Sequence, residues 1–103
     1  MDLRTVLPLD RDAIRQTVEK TNRAIVLHED TKTGGIAGEV AAIINEECFD
    51  SLDAPIARIA SADSPVPFSP PLEEVYLPRV EDVAAKRAGC ASIEASGRLL
   101  WRP

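Results

Sequence analysis

The clearest periodic pattern in the chain runs from Ile36 to about Leu52 and predicts one long amphipathic helix. Apolar side chains recur there at the three- and four-residue spacing of a single helix face. That face comprises Ile36, Ala37, Val40, Ala41, Ile43, Ile44 and Cys48. The continuous apolar run from Ala24 to Leu27 precedes it and is typical of a strand covered on both faces. A strand, a polar turn and a helix in this order predict an α/β fold.

Shorter elements are predicted before this unit. Asp10 is a suitable N-cap for a helix from Arg11 to about Thr21, and Asn22 suits its end. The segment from Asp2 to Val6 is extended but too short to be a stable strand without neighbours. With the helix and the strand at Ala24 it is predicted to form a right-handed crossover.

Further elements are predicted after the long helix. A second parallel strand is expected at Ile56 to Ala60, followed by a proline-rich loop to Pro71. Leu72 to Tyr76 suits one helical turn, and Val80 to Ala88 a last short helix. The periodicity then fails, so residues 1–88 are expected to form the domain and residues 89–103 a tail. In this tail, Leu99, Leu100 and Trp101 are expected to form an exposed apolar patch unless something covers them.

Composition supports one domain and excludes several classes of protein. The chain has 103 residues, 45% of them hydrophobic, enough for a core that buries roughly two thirds of the unfolded surface. No apolar run approaches the ~20 residues that span a bilayer, and the start lacks a secretory pattern, so a cytoplasmic protein is expected. The net charge is −5, without a basic stripe interleaved with aromatics, which disfavours nucleic acid as a partner. Cys48 and Cys90 fit no metal or redox spacing and are expected to be reduced thiols.

The turn after the first strand is a candidate anion site. Thr33, Gly34 and Gly35 lie just before the long helix, whose free amides and dipole favour phosphate or carboxylate. Glu29 and Asp30 oppose this, and no phosphate-loop fingerprint is complete. A free-standing α/β module that binds a small anion here is therefore the alternative function.

His28 and Phe68 are candidate interface residues. His28 is the only histidine, and no convergent polar groups accompany it, so packing or an interface is favoured over acid-base catalysis. Phe68 in the proline-rich loop is expected to be buried, either as an anchor of that loop or in an interface. The sequence predicts no catalytic residue, no cofactor-binding residue and no metal site.

Acidic residues gather near the end of the long helix. Carboxylates there oppose the helix dipole, so helix stability does not explain them, whereas a basic partner would. A solvated acidic face is the other interpretation. The acidic residues of this group, which are the candidate partner-binding residues, are Glu46, Glu47, Asp50 and Asp53.

Several segments resemble one family in order and spacing. They read DLRTVLPLDRDAI, VEKTNRAIVLHEDTKTGGIAGEVA, LDAPIARIA and VPFSPPLEEVYLP. The chain resembles the C-terminal domain of the beta subunit of thiamine-diphosphate-dependent 2-oxoacid dehydrogenases, of the branched-chain (2-oxoisovalerate) or acetoin type. Transketolases end in the same domain type.

The resemblance implies a three-layer α/β/α domain with a mixed sheet and a non-catalytic role in assembly and docking. The implied partners are the dehydrogenase alpha subunit and the dihydrolipoyl acyltransferase, whose basic domain would meet Asp53. Thiamine diphosphate and magnesium would be held by other domains, so the chain alone is not expected to be active.

Two departures from the family pattern add expectations. The first two family strands are missing, so the strand at Ala24 either pairs with Asp2 to Val6 or exposes an unpaired edge. A homo-oligomer or a poorly stable chain is then expected. The divergent tail, with the missing strands, would fit a truncated or frame-shifted gene fragment.

Overall fold

The structure is a computed structural model that describes the backbone of residues 1–96 and the side chains of residues 1–89. Four α-helices and two strands lie in this part of the chain. The helices are α1 (Arg11–Thr21), α2 (Ile36–Cys48), α3 (Pro70–Tyr76) and α4 (Val80–Ser96), and the strands are β1 (Ile25–Thr31) and β2 (Ala57–Ser61). The predicted α/β class is confirmed. The expected tail patch at Leu99 to Trp101 lies outside the described residues.

The strands β1 and β2 form a two-stranded parallel sheet, and α2 connects them. The register pairs Ile25 with Ala57 and Leu27 with Ile59, and it becomes irregular before Thr31 pairs with Ser61. Because the strands are parallel, both of their carboxyl ends lie at the same edge of the sheet. The turn before α2 and the loop after β2 therefore meet there.

The helix α1 forms as predicted, with caps at both ends. The Asp10 carboxylate accepts a hydrogen bond from the Ala13 amide at 3.0 Å, and Asn22 adopts the left-handed conformation with φ 59°. Its buried residues pack against α2 in the main hydrophobic cluster. That cluster comprises Ile14, Val18, Val40, Ile44 and Cys48.

The expected extended segment at the start of the chain is not a strand, so the predicted crossover through it is wrong. Arg4 has a φ of 27°, and the Thr5 hydroxyl donates to the Pro8 carbonyl at 3.0 Å. These local turns satisfy polar groups that a sheet would otherwise pair. The edge of β1 opposite β2 therefore has no strand partner among residues 1–96.

Three helix boundaries also differ from the prediction. The helix α2 ends at Cys48 instead of near Leu52, and a 3-10 helix follows it at Phe49–Ser51. The helix α3 begins at Pro70, because proline fits the first turn of a helix, where no backbone donor is required. The helix α4 continues through Gly89 to Ser96 instead of ending at Ala88. A single glycine weakens a helix by only about 1 kcal/mol, which neighbouring turns offset. The domain boundary at residue 88 stays a prediction.

Candidate functional site

The carboxyl edge of the sheet joins the turn before α2 to the loop after β2 through Asp63. One Asp63 oxygen accepts the Thr33 amide proton at 2.8 Å, and the other accepts the Thr33 hydroxyl proton at 2.6 Å. The Ser61 hydroxyl donates to the Glu29 carbonyl at 2.5 Å and holds the same two segments together. The predicted anion turn thus already binds a carboxylate, which belongs to its own chain. An external anion at Thr33 would have to displace Asp63.

Hydrogen bonding lowers the pKa of the Asp63 carboxyl. The Thr33 hydroxyl is the main cause, and the Thr33 amide is the next. Since the folded pKa lies below the unfolded one, the ionised carboxylate stabilises the fold at neutral pH. That stabilisation is lost as the pH falls through the folded pKa.

We expect Asp63→Asn to lower the urea midpoint slightly at pH 7 and to have less effect at an acidic pH, because the stabilisation by the ionised carboxylate is lost as the pH falls through its lowered folded pKa. Asparagine keeps the shape and one acceptor but loses the charge that Thr33 stabilises. Urea unfolding of both proteins at the two pH values measures the difference. Asp50→Asn, at an exposed carboxylate, is the control, and an equal loss at both pH values for Asp63→Asn would contradict the assignment.

The two glycines of the turn serve different purposes. Gly34 has a φ of 79°, a left-handed conformation that favours glycine. Gly35 has an ordinary φ of −78° but is buried against its neighbours. A Cβ atom at Gly35 would overlap the Thr31 carbonyl and lie 2.5 Å from His28 Nε2. Gly34 thus supplies an unusual backbone angle, and Gly35 permits a close approach.

His28 packs on Gly35 at the end of β1. Both of its ring nitrogens are buried and have no hydrogen-bond partner among the described residues. A general base is usually oriented by a hydrogen-bond partner, and the described residues supply none to these atoms. The packing role is therefore favoured, and an interface role stays a prediction.

The acidic residues near the end of α2 do not form one compact group. Glu47 accepts a hydrogen bond from the Arg11 guanidinium at 2.8 Å, near the start of α1. The Asp53 amide donates to the Asn22 carbonyl at 2.9 Å, at the other end of α1. Glu46, Asp50 and Asp53 are exposed. Glu47 thus has a partner within the chain, whereas the other three present carboxylates at the surface.

Phe68 is fully exposed, with 100% of its surface accessible. It therefore does not anchor the proline-rich loop, and that interpretation is wrong for this chain. Leu72 and Val75 on the following helix, α3, are also largely exposed. An interface role for Phe68 stays a prediction, and the apolar surface around it fits one.

A groove of about 380 Å³ follows the unpaired edge of β1. Five consecutive residues, Ala24 to His28, line it, which shows that it runs along the edge of the strand and not on one face. Apolar side chains of α1, α2 and the first residues of the chain form its walls. Leu27 is 54% exposed in it. The unpaired backbone groups of β1 and this groove form one surface, which we call the β1 edge.

Two further features limit the chemistry of the chain. Cys48 is buried, and burial raises the pKa of its thiol, so the thiol is neutral at pH 7 and structural, as predicted. No group of three or more His, Cys, Asp or Glu side chains among the described residues is arranged to hold a metal ion. No helix in the described part of the chain is long and apolar enough to cross a membrane.

Comparison with known proteins identifies related chains. Residues 1–83 match the family model for the C-terminal domain of transketolase. The chain is 52% identical over 83 residues to the pyruvate dehydrogenase E1 component subunit beta of Bacillus subtilis, covering 81% of this chain and 25% of that one. It is 46% identical over 86 residues to the 2-oxoisovalerate dehydrogenase subunit beta of the same organism, covering 82% and 26%. The chain spans about a quarter of the length of these relatives.

Proposed function

The chain belongs to the transketolase C-terminal domain family, and from that membership we propose that it is a non-catalytic assembly and partner-docking domain of a 2-oxoacid dehydrogenase beta subunit. The match of residues 1–83 and the shared naming of the relatives as beta subunits carry the proposal. The branched-chain or acetoin type stays a prediction. Relatives named for 2-oxoisovalerate, acetoin and pyruvate match at 46%, 46% and 52% identity.

The proposed partners are the alpha subunit and the dihydrolipoyl acyltransferase. Thiamine diphosphate and magnesium are proposed to lie in other parts of the parent enzyme, so the chain alone is not expected to decarboxylate 2-oxoacids. A cytoplasmic location is retained as a prediction, although some matching plant relatives are named as mitochondrial.

The surface carboxylates near the end of α2 support docking of a basic partner. Asp50 and Asp53 are exposed and follow the C-terminal end of α2, where the helix dipole disfavours negative charge, so they do not stabilise α2. Glu47 is a weaker candidate because Arg11 already pairs with it. Asp53, with Asp50 and Glu46, is therefore the core of the proposed docking surface.

We expect the double variant Asp50→Lys, Asp53→Lys to bind the basic subunit-binding domain of a dihydrolipoyl acyltransferase roughly tenfold or more weakly, since each reversal replaces attraction with repulsion. The affinity should also depend less on salt. Isothermal titration calorimetry at two salt concentrations measures both effects.

The matched control is Glu73→Lys, Glu74→Lys, the same change of charge on α3. It should leave the affinity and its salt dependence near the wild-type values. Equal binding by both double variants and the wild type would overturn the docking proposal. The free energy of unfolding of a Glu47→Lys variant measures the loss of the ion pair with Arg11 separately from any loss of docking.

A second proposal concerns self-association. A two-stranded sheet with one apolar, unpaired edge is marginal on its own, and strand addition would satisfy its backbone groups. We propose that the isolated chain forms homo-oligomers through the β1 edge.

A further inference from the structure

A second pocket of about 390 Å³ lies between β2 and the helices α3 and α4, away from the β1 edge and the α2 carboxylates. Basic and apolar groups both line it. They include Lys32, Arg58 and Lys86 on the basic side and Val75, Leu77 and Pro78 on the apolar side. The docking and assembly roles proposed above use none of these basic residues.

The basic side chains that line this pocket outnumber its carboxylates. Lys32, Arg58 and Lys86 form no ion pair within 4.0 Å among the described residues, where the ion pairs involve other side chains. Asp82 is the one carboxylate among the lining residues, and its Oδ2 accepts the Arg79 amide proton at 2.8 Å at the start of α4. Asp63 lies near Lys32 but is held by Thr33. The pocket therefore carries a net positive charge.

Arg58 is the central group of the pocket. It lies within β2 and is half-buried, and its guanidinium makes one hydrogen bond among the described residues, to the Lys32 carbonyl at 3.3 Å. The guanidinium also lies against the first turn of α2, since a Cβ atom at Gly38 would be 3.5 Å from Arg58 Nη1. A cation beside the positive end of a helix dipole is unfavourable, so Arg58 does not stabilise α2 electrostatically.

A bound oxyanion would accept hydrogen bonds from the Arg58 guanidinium and would offset its positive charge beside the start of α2. A guanidinium has five N–H donors arranged to meet two oxygens of one phosphate or carboxylate. Most of these donors in Arg58 have no acceptor among the described residues. An anion near the start of α2 would also interact favourably with the helix dipole. The apolar wall from α3 offers contact to a hydrocarbon or aromatic body attached to the anion.

We propose that this pocket binds a small organic oxyanion, with Arg58 and Lys86 as direct ligands of its phosphate or carboxylate group. The apolar wall at Val75, Leu77 and Pro78 then contacts the rest of the molecule. The site is independent of the docking role, and either stands if the other fails.

The test is a titration of the isotopically labelled full chain with inorganic phosphate, phenyl phosphate and acetate, each at constant ionic strength set with sodium chloride. Amide chemical shifts give the location and the affinity. We expect saturable shifts at β2 and at the start of α4, with phenyl phosphate binding more tightly than inorganic phosphate because it also contacts the apolar wall. Tighter binding of acetate than of the phosphates would assign a carboxylate as the ligand. Tighter binding of the phosphates would assign a phosphate.

Two variants and a matched control decide the assignment. Arg58→Gln and Lys86→Gln should each weaken binding roughly tenfold, as expected for loss of one charged hydrogen bond. Arg87→Gln makes the same change of net charge on the next residue of α4, which does not line the pocket, and should bind as the wild type does. Lys86 is exposed, so that variant tests the site even if Arg58→Gln unfolds the chain.

Three results would overturn the proposal. One is a set of amide chemical-shift changes that depend only on the salt concentration and do not saturate with the added anion. Another is unchanged affinity in Lys86→Gln. The third is a set of shifts centred on the amides of Thr33 to Gly35, which would assign anion binding to the turn instead.

Discussion

Replacing Gly35 with alanine should destabilise the fold by about 3 kcal/mol, near the upper end of the range for overpacking a buried site. The added methyl group would overlap the Thr31 carbonyl and lie 2.5 Å from His28 Nε2. The backbone carbonyl belongs to β1 and cannot move without disturbing the sheet. Urea unfolding measures the loss, which is a large part of the 5–15 kcal/mol typical of a domain.

The other glycines provide matched controls for this prediction. Gly34→Ala should cost about 1 kcal/mol, because its φ of 79° disfavours alanine although a Cβ atom there meets nothing within 4 Å. Gly89→Ala should be neutral or stabilising by up to about 1 kcal/mol, since that site in α4 is open and alanine favours a helix. Equal effects at Gly34 and Gly35 would show that backbone conformation, not packing, dominates the turn.

A double variant separates the two contacts of Gly35. In a His28→Ala background the imidazole is absent, so Gly35→Ala should lose less stability than in the wild type. The remaining loss then reports the overlap with the Thr31 carbonyl. If the loss is the same in both backgrounds, His28 does not restrict Gly35.

Introducing lysine at Leu27 should weaken self-association of the isolated chain, raising the apparent dissociation constant roughly tenfold or more. A charged side chain on an edge strand opposes strand addition because pairing would remove it from water. Leu27 is 54% exposed in the groove of the β1 edge, so the lysine should leave the fold intact. Sedimentation velocity over a range of protein concentrations measures the association.

The control for this variant is Leu72→Lys. Leu72 is 59% exposed on α3 and lies outside the groove, so the same substitution there should leave association unchanged. A wild-type chain that is monomeric at every concentration and melts sharply would contradict the homo-oligomer proposal. Equal loss of association in both variants would show that the β1 edge is not the contact.

Local rules in the sequence determined most of the elements. Asp10 and Asn22 specify the ends of α1 through hydrogen bonds made within a few residues, and both act as predicted. The apolar stripe of α2 specifies its buried face, because a helix that lies on a sheet must cover its apolar side. The extended segment predicted at Asp2 to Val6 is not a strand, because a strand needs a neighbouring strand and local sequence rules do not supply one.

The candidate site was less predictable because its contacts join residues far apart in the chain. Asp63 was missed although it meets Thr33, which is 30 positions earlier, and the one available signal was that parallel strands bring their following loops together. The ion pair between Glu47 and Arg11 spans 36 positions, so one of the predicted docking carboxylates already has a partner within the chain. The exposure of Phe68 depends on how the proline-rich loop lies on the domain.

The sequence by itself determined the α/β class, the capped helix α1, the buried face of α2 and the family resemblance, since these depend on local periodicity and on order along the chain. Only the tertiary structure decided that Asp63 binds Thr33 in the glycine turn, that His28 covers Gly35 and that Arg58 lines a pocket with no ion-pair partner in the described part of the chain. Those contacts depend on the register of β1 with β2 and on the packing of α2 and α4 beside them. Neither is encoded by any short stretch of residues.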